Sequence, residues 1–506
     1  MELGTLVRAS GVAAEIRGDE AVQISKLAYD SRAVEPGTLF FCFPGEQVDR
    51  HEFAPQAVQA GACALVVERP LELGVPEVQV DDARAAMAPL AAAFYGDPTA
   101  ELVVAGVTGT NGKTTTAFLI RRLLEGSGRQ CGLLGTVQRV VGGEVEPVER
   151  TTPEAIDLQA TFARMLEAGD RACVMEVSSH ALVLHRADAI NFDAKVFTNL
   201  TQDHLDFHAD MEDYFAAKRL LFTAEGGSPT LVVAGGVSVI NVDDAYGARL
   251  AAELLEEAPE GCLTFSAAGA EADFSARDVS FDATGSTFAC VTPEGTVRVR
   301  TPLPGDFNVE NALAAIAAGH ALGVAPQAAA AALAEVGQVP GRFEAIEEGQ
   351  PFTVLVDYAH TPDSLENVLE AAGKLTEGRL VSVFGCGGDR DRDKRPLMGR
   401  AAAELSDLAV VTSDNPRSER PEAIIEAILA GIEAIETARA EVVVEPDRRA
   451  AIGLAFSRAA AGDTVVIAGK GHEQGQEFEG GRKIPFDDRD VAREELRRLT
   501  AERAVR

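Results

Sequence analysis

The stretch "ELVVAGVTGTNGKTTTAFLI", residues 101–120, constrains this chain more than any other. An apolar run, a glycine-rich turn and an amphipathic run follow one another. A strand buried on both faces reads as continuous apolar residues, and the run "KTTTAFLIRRLLEGSG" keeps its apolar residues on one helical stripe and ends in glycine. The turn between them holds what a phosphate-gripping loop requires. Glycines let backbone N–H groups point at an anion, a lysine reaches the outer phosphates, and a hydroxyl serves a divalent cation. Gly109, Gly112, Lys113 and Thr114 supply these, with Thr110, Asn111 and Thr115 in the same loop. The strict spacing puts its first glycine at 107, where this chain has Val107 between Gly106 and Gly109, so the loop is a variant form.

At 506 residues the chain is too long for one core and implies roughly three domains. Residues 1–98 carry short apolar runs between Gly/Pro turns and read as a small mixed α/β unit, with "YGDPTAE" (95–101) as the linker. Residues 99–337 alternate strands and helices around the phosphate loop and imply a parallel-sheet α/β domain. Its strands include "ACVMEVSSH", "AKVFTNL" and "TLVVAGGVSVINVDD", and "FNVENALAAIAAGHALG" is a helix. A second alternating series fills 338–506, with strands "FTVLVDYAH", "RLVSVFGCGG", "LAVVTSDNPR" and "DTVVIAGKGHE", and reads as Rossmann-like. Ligands of open parallel sheets sit outside the carboxyl ends of the strands, so the four polar loops after these strands are expected to line one cleft.

Acids outnumber bases 79 to 46, a net charge of −33. Such a surface repels polyanions and argues against nucleic-acid and anionic-membrane partners, so an anionic ligand must be held by local basic loops. The seven cysteines are scattered without a C-x-x-C pair, as reduced thiols are. With no basic-then-apolar leader and no bilayer-length run, the expectation is a cytoplasmic protein without membrane insertion, working as a monomer. A GTPase would want an N-K-x-D motif, which is missing. A motor would want an acid closing an apolar strand, and Glu176 in "VMEVSSH" offers one, so that alternative stays open.

Five motifs then occur in order: "TGTNGKTT" (108–115), "MEVSSHALVLHR" (175–186), "NLTQDHLDFH" (199–208), "YFAAKRLLF" (214–222) and "GDFNVENALAA" (305–315). Together they resemble the Mur ligase family, ATP-dependent amide-forming enzymes of peptidoglycan synthesis, along the whole chain. "LAYDSRAVEPGTLFFCFPG", "GCGGDRDRDKRPLMG", "SDNPRSE" and "AGKGHE" are similar to the members that add the third residue of the stem peptide. The resemblance implies a uridine-nucleotide-binding domain, an ATPase domain and a domain that closes on both.

Site roles follow from that resemblance. Alone, Glu176 would read as a strand-end salt bridge and His204 as a capping or core histidine. In this context they are implied, with Thr114, to be Mg²⁺ ligands. Lys218 is implied to be an N6-carboxylysine, a carbamate whose oxygens serve a second Mg²⁺. Lysines that lose their proton on burial can make one. Arg342 and Asp357 are implied to touch ATP, with Asn308 on the adenine side; for Asn311 a polar helix face is an equal reading. Ser31, Thr151, Thr152, Ser178 and Arg186 are implied to hold UDP-MurNAc-L-Ala-D-Glu. Glu46 and Val48 stand where some members have His and Ala, and Leu184 where some have Gln.

"DNPR" (Asp414, Asn415, Pro416, Arg417) resembles the signature of members that use meso-diaminopimelate, and lysine-using members generally lack its arginine. Diaminopimelate carries one carboxylate more than lysine, and a guanidinium grips a carboxylate bidentately. Arg390, Gly469 and Glu473 are implied to complete this subsite, with Glu473 suited to the ammonium. The implied reaction runs through an acyl phosphate. The alternatives are a lysine-adding member, a sibling ligase such as the D-Ala-D-Ala-adding Mur enzyme or folylpolyglutamate synthetase, and an ATP-binding regulator or motor.

Overall fold

Three β-sheets follow one another along the computed structural model, which describes residues 1–45, 48–148, 150–223, 235–435 and 438–505. The first joins β1 (Glu15–Arg17), β2 (Lys26–Ala28), β3 (Thr38–Phe41), β4 (Ala62–Val67) and β5 (Glu77–Gln79) in the order β1-β5-β4-β3-β2, parallel except for β1.

The second sheet has eleven strands: β6 (Val103–Thr108), β7 (Cys131–Leu134), β8 (Arg139–Val141), β9 (Glu144–Glu146), β10 (Ala172–Glu176), β11 (Ala194–Phe197), β12 (Val237–Asn241), β13 (Cys262–Ser266), β14 (Phe274–Asp282), β15 (Gly285–Thr292) and β16 (Gly295–Thr301). Its middle, in the order β13-β12-β11-β6-β10-β7, is parallel, as the continuous apolar runs imply. One face is covered by the helices Lys113–Gly126 and Asp306–Ala321 through Leu119, Ile120, Leu123, Leu313 and Ile316. The other is covered by Leu158, Phe162, Met165 and Phe215.

The sheet is nevertheless mixed. Antiparallel ribbons, β8–β9 on one edge and β14–β16 on the other, depart from the expected all-parallel domain. Two-residue connections at 283–284 and 293–294 leave no room for a crossover helix, and β15 alternates buried and half-buried positions, as a strand with one wetted face does. The first residues of the expected strand "TLVVAGGVSVINVDD", 230–234, lie outside the described residues, as does Glu46.

The third sheet holds β17 (Glu344–Ala345), β18 (Thr353–Asp357), β19 (Leu380–Phe384), β20 (Leu408–Val411), β21 (Glu441–Val444) and β22 (Thr464–Ala468) in the order β17-β18-β22-β19-β20-β21, parallel except for β17. A hairpin, β23 (Gly475–Phe478) and β24 (Arg482–Pro485), follows it. The carboxyl ends of the second and third sheets meet. Asn111 Nδ2 donates to Asp363 Oδ2 at 2.7 Å, Gln202 Nε2 to Asp391 Oδ2 at 3.2 Å, and Arg390 pairs with Asp206 at 3.6 Å.

Behind the third sheet's carboxyl edge lies a fully buried ion pair. Arg448 Nε and Nη2 donate to Asp488 at 2.8 and 2.7 Å, and the same guanidinium reaches the carbonyls of Ala468, which ends β22, and of Ser413, just beyond β20. Asp488→Ala strands a buried charge and is expected to cost about 3–5 kcal/mol of stability, read as a fall in urea midpoint; an unchanged midpoint contradicts this.

Candidate active site

The phosphate loop leaves β6 and enters the helix Lys113–Gly126 through two positions that require glycine. Gly109 has φ 143° and Gly112 φ 85°. A Cβ at Gly109 would lie 1.9 Å from Thr198 Oγ1, and one at Gly112 would lie 2.4 Å from Asn311 Oδ1. Lys113 Nζ donates to the Gly109 and Thr110 carbonyls at 2.9 and 2.8 Å, which curls the loop around its ammonium. Asn111 N–H donates to Asn199 Oδ1 at 2.9 Å, so the loop after β11 braces it from the side.

Glu176, at the end of β10, is 1 % exposed and is saturated by hydroxyls and one amide. Thr114 Oγ1 donates at 3.0 and 3.1 Å, Thr136 N at 2.7 Å and Thr136 Oγ1 at 3.0 Å. His204 holds φ 56°, rare for a residue with a Cβ, with its ring in the same cavity wall. Burial first, and then Lys113 and Lys218 among its neighbours, lower its pKa and favour the neutral ring that a metal ligand must present.

Lys218 comes from the helix Met211–Arg219 and is buried, with Nζ 2.8 Å from the Gly109 carbonyl and 4.5 Å from the Tyr214 ring centre. Burial, and after it the charge of Lys113, push its pKa well below the usual lysine value. Among the described residues no three His, Cys, Asp or Glu side chains form a cation site by themselves. One carboxylate, hydroxyls and an imidazole do suit a hard cation that takes its other oxygens from phosphates and water, as Mg²⁺ does.

These groups share one cavity of about 600 Å³. Its wall holds Thr110, Asn111, Gly112, Lys113, Thr114, Thr115, Glu176, His204 and Lys218 from the phosphate end, and Thr151, Thr152, Ser178, Arg186 and Leu184 from another. Thr152 Oγ1 donates to the Glu176 carbonyl at 2.9 Å, and the Thr151 and Thr136 hydroxyls lie 3.0 Å apart. Buried Glu154 gathers Arg84, Arg150 and Arg186 at 3.3, 2.9 and 3.0 Å, a local excess of positive charge in an acidic chain. Ser31 lies outside the wall, in a 3₁₀ turn two residues past Tyr29, which donates to Asp157 at 2.7 Å.

Arg342 crosses from the third sheet's side to donate to Thr114 Oγ1 at 3.0 Å and lies over the Tyr358 ring at 4.4 Å. Asp357, also in the wall, accepts from the Phe343 and Ala359 amides at 2.6 and 2.7 Å and so fixes the chain beside Arg342. Asn311 faces the cavity, while Asn308 stands behind it, donating to the Pro304 carbonyl at 2.8 Å.

The "DNPR" loop forms a second cluster beside the cavity. Arg390 lines the cavity, and a Cβ on Gly387 would sit 3.8 Å from Arg390 Cγ and 3.0 Å from Arg417 Nη1, so the two arginines flank that glycine. Asn415 Nδ2 donates to Glu473 at 2.8 Å, and buried Lys470 donates to both Asn415 Oδ1 and Glu473 at 2.8 Å. A Cβ on Gly469, which has φ 120°, would lie 2.5 Å from Asp414 Oδ2, while the Pro416 carbonyl would lie 1.9 Å from one on Gly388. Thr136 and Lys470 escaped the sequence reading. Both sit in loops at strand carboxyl ends, the signal that could have found them.

Residues 23–95 match the Mur ligase family catalytic domain, 107–319 the Mur ligase middle domain, and 341–471 the Mur ligase glutamate ligase domain. A Streptomyces coelicolor protein named UDP-N-acetylmuramoyl-L-alanyl-D-glutamate--2,6-diaminopimelate ligase is 48% identical over 504 residues, 98% of this chain and 96% of that protein. A solved structure bearing the same name is 33% identical with TM-score 0.69, covering 99% of this chain and 100% of that one. MurF ligase from Thermotoga maritima, in complex with ADP, shares the fold at 19% identity and TM-score 0.61, covering 95% and 97%.

Gly112→Ala introduces both a left-handed strain and a collision with Asn311. It is expected to abolish binding of a fluorescent ATP analogue while leaving the circular dichroism unchanged; retained binding contradicts this geometry.

Proposed function

The chain belongs to the Mur ligase family, and from that premise we propose that it is an ATP-dependent ligase joining meso-2,6-diaminopimelate to UDP-MurNAc-L-Ala-D-Glu in peptidoglycan synthesis. The observation that carries this reading is the convergence of phosphate loop, Glu154 arginine cluster and Arg342 on one cavity with the "DNPR" cluster at its side. We assign residues 1–98 to the uridine nucleotide, 99–337 to ATP and 338–506 to the amino acid, in a monomer of the cytoplasm, where its seven free thiols stay reduced.

The D-Glu side-chain carboxylate attacks the ATP γ-phosphorus, forming an acyl phosphate and releasing ADP. Lys113 and Arg342 hold charge that develops on the phosphate oxygens, a task of positioning and electrostatics. A diaminopimelate amine then attacks the acyl carbon, the amide forms and orthophosphate leaves with the acyl C–O bond broken. The attacking amine is neutral and gives up a proton as the amide forms, while Glu473 and Asp414 accept from the substrate's amino N–H groups and Arg390 and Arg417 hold the carboxylates. Mg²⁺ held by Thr114, Glu176, His204 and carbamylated Lys218 would supply positive charge at the phosphates. The Lys218 amine, kept neutral by burial and by Lys113, adds to CO₂ and loses a proton. The resulting carbamate turns a repulsion between two lysines into an attraction. The contacts of Asn111 with Asp363 and of Arg342 with Thr114 close the third domain over the loop, which shields the acyl phosphate from water.

Four measurements check the reading. Phosphate release is expected only with both the muramyl dipeptide and diaminopimelate present, and oxygen-18 in the dipeptide's acid group should pass to the released phosphate. Unstimulated turnover or label retained in the peptide overturns it. Meso-diaminopimelate should be preferred to L-lysine by roughly 10⁴-fold, because lysine leaves the remaining N–H groups of the Arg417 guanidinium without a carboxylate; equal use overturns the assignment of Arg417. Lys218→Ala should lose activity that a short carboxylic acid restores, and full activity in that variant rules out the carbamate.

A further inference from the structure

Arg417 has φ 48°, and the hairpin strand β23 holds it there. Its N–H donates to the Glu477 carbonyl at 3.1 Å, and Arg417 forms a parallel bridge with Phe478. The same strand grips the rest of the loop. Gln476 Nε2 donates to the Asp414 carbonyl at 2.6 Å, and Glu477 N–H donates to Asn415 Oδ1 at 2.9 Å.

The guanidinium is fixed as firmly as its backbone. Arg417 Nε donates to Glu477 Oε2 at 3.1 Å, and Nη1 donates to the Gly388 carbonyl at 2.7 Å. A guanidinium has five N–H donors in one plane. These two bonds use one donor on each of two nitrogens, and two fixed points set the orientation of the plane. The end-on face, one N–H of Nη1 beside Nη2, stays available to a second carboxylate. The Arg417 and Glu477 side chains are 22% and 31% exposed, so the pair is half-buried beside the cavity and not sealed in the core.

We propose that Glu477 is a positioning residue for the amino-acid substrate: by occupying the Nε edge of Arg417 it presents the end-on face to the carboxylate at the far end of diaminopimelate. This rests on the reading of Arg417 as the grip for that carboxylate. A freely rotating arginine takes an anion from several directions, whereas one held on its Nε edge takes it from one. Glu477 therefore contributes selectivity for the substrate's geometry more than net charge.

Glu477→Met keeps side-chain bulk and removes the acceptor, while Glu477→Gln keeps an oxygen for Nε–H. Ligation kinetics with meso-diaminopimelate and L-lysine compare these with Arg417→Ala and the parent enzyme. For Glu477→Met the expected result is a KM for meso-diaminopimelate raised roughly ten-fold or more, since weakening one hydrogen bond to a charged group costs affinity on the order of ten-fold. The KM values for ATP and the muramyl dipeptide should stay unchanged, kcat should stay within about three-fold, and preference over L-lysine should fall by a similar factor; Gln should restore most of the loss. An unchanged KM in Glu477→Met, with a raised one in Arg417→Ala, overturns the role of Glu477 alone. An unchanged KM in Arg417→Ala overturns the Arg417 reading and this inference with it. A rise in all three KM values, or failure of Gln to restore binding, marks Glu477 as a structural brace and overturns the proposal.

Discussion

Parallel strands deliver all of their carboxyl ends to one edge of a sheet, and the rest of this molecule depends on two such edges being brought face to face. The phosphate loop follows β6, Glu176 closes β10, and Asn199 to His204 follow β11, so three neighbouring strands supply loop, acid and imidazole without any long excursion of the chain. Opposite them, Asp357, Arg390, the "DNPR" loop and Glu473 follow four parallel strands of the third sheet. Burial of both faces of each parallel core leaves the strand ends as the places where polar side chains can converge.

Electrostatics then decides what the convergence can hold. A chain of net charge −33 repels its own anionic substrates at long range, so capture depends on short-range positive charge within the cavity. Lys113, Arg342, Arg150 and Arg186 provide it, each braced by a carbonyl, a hydroxyl or a carboxylate. Lys218 is the exception that sharpens the point. A second ammonium buried beside Lys113 is disfavoured by desolvation and by repulsion, which holds the pKa of this amine well below the usual lysine value.

Much of this was legible in the sequence because it is local. Continuous apolar runs marked the parallel strands, and "TGTNGKTT" marked its own turn, since glycine requirements at 109 and 112 are properties of the backbone there. The ribbons β8–β9 and β14–β16 were not read, because their strands are short or half wetted and lack the apolar continuity that marked the others. Lys470 lies inside "AGKGHE", yet nothing local marks it as buried: a lysine's burial depends on which carboxylates the fold brings to it, here Glu473 and, across 55 residues, the Asn415 loop. Asn308 looked like a ligand-facing polar residue, but helical phase turns it behind Asn311 to brace the Pro304 carbonyl.

The same distinction between local signal and distant partner separates the two halves of the reaction. The phosphate loop is one contiguous stretch, whereas the cluster proposed to choose the amino acid is assembled from β20, β22 and a hairpin some sixty residues beyond "DNPR". A loop whose geometry is set by a separate strand can be retuned by changes in that strand while the arginine itself stays in place. Conversely, an arginine alone is an incomplete specification of the substrate: in this fold its meaning depends on the carboxylate that holds its other edge. On the proposed assignment, specificity is a property of the Arg417–Glu477 pair and the hairpin that aligns it, built onto a phosphate loop that stands elsewhere in the chain.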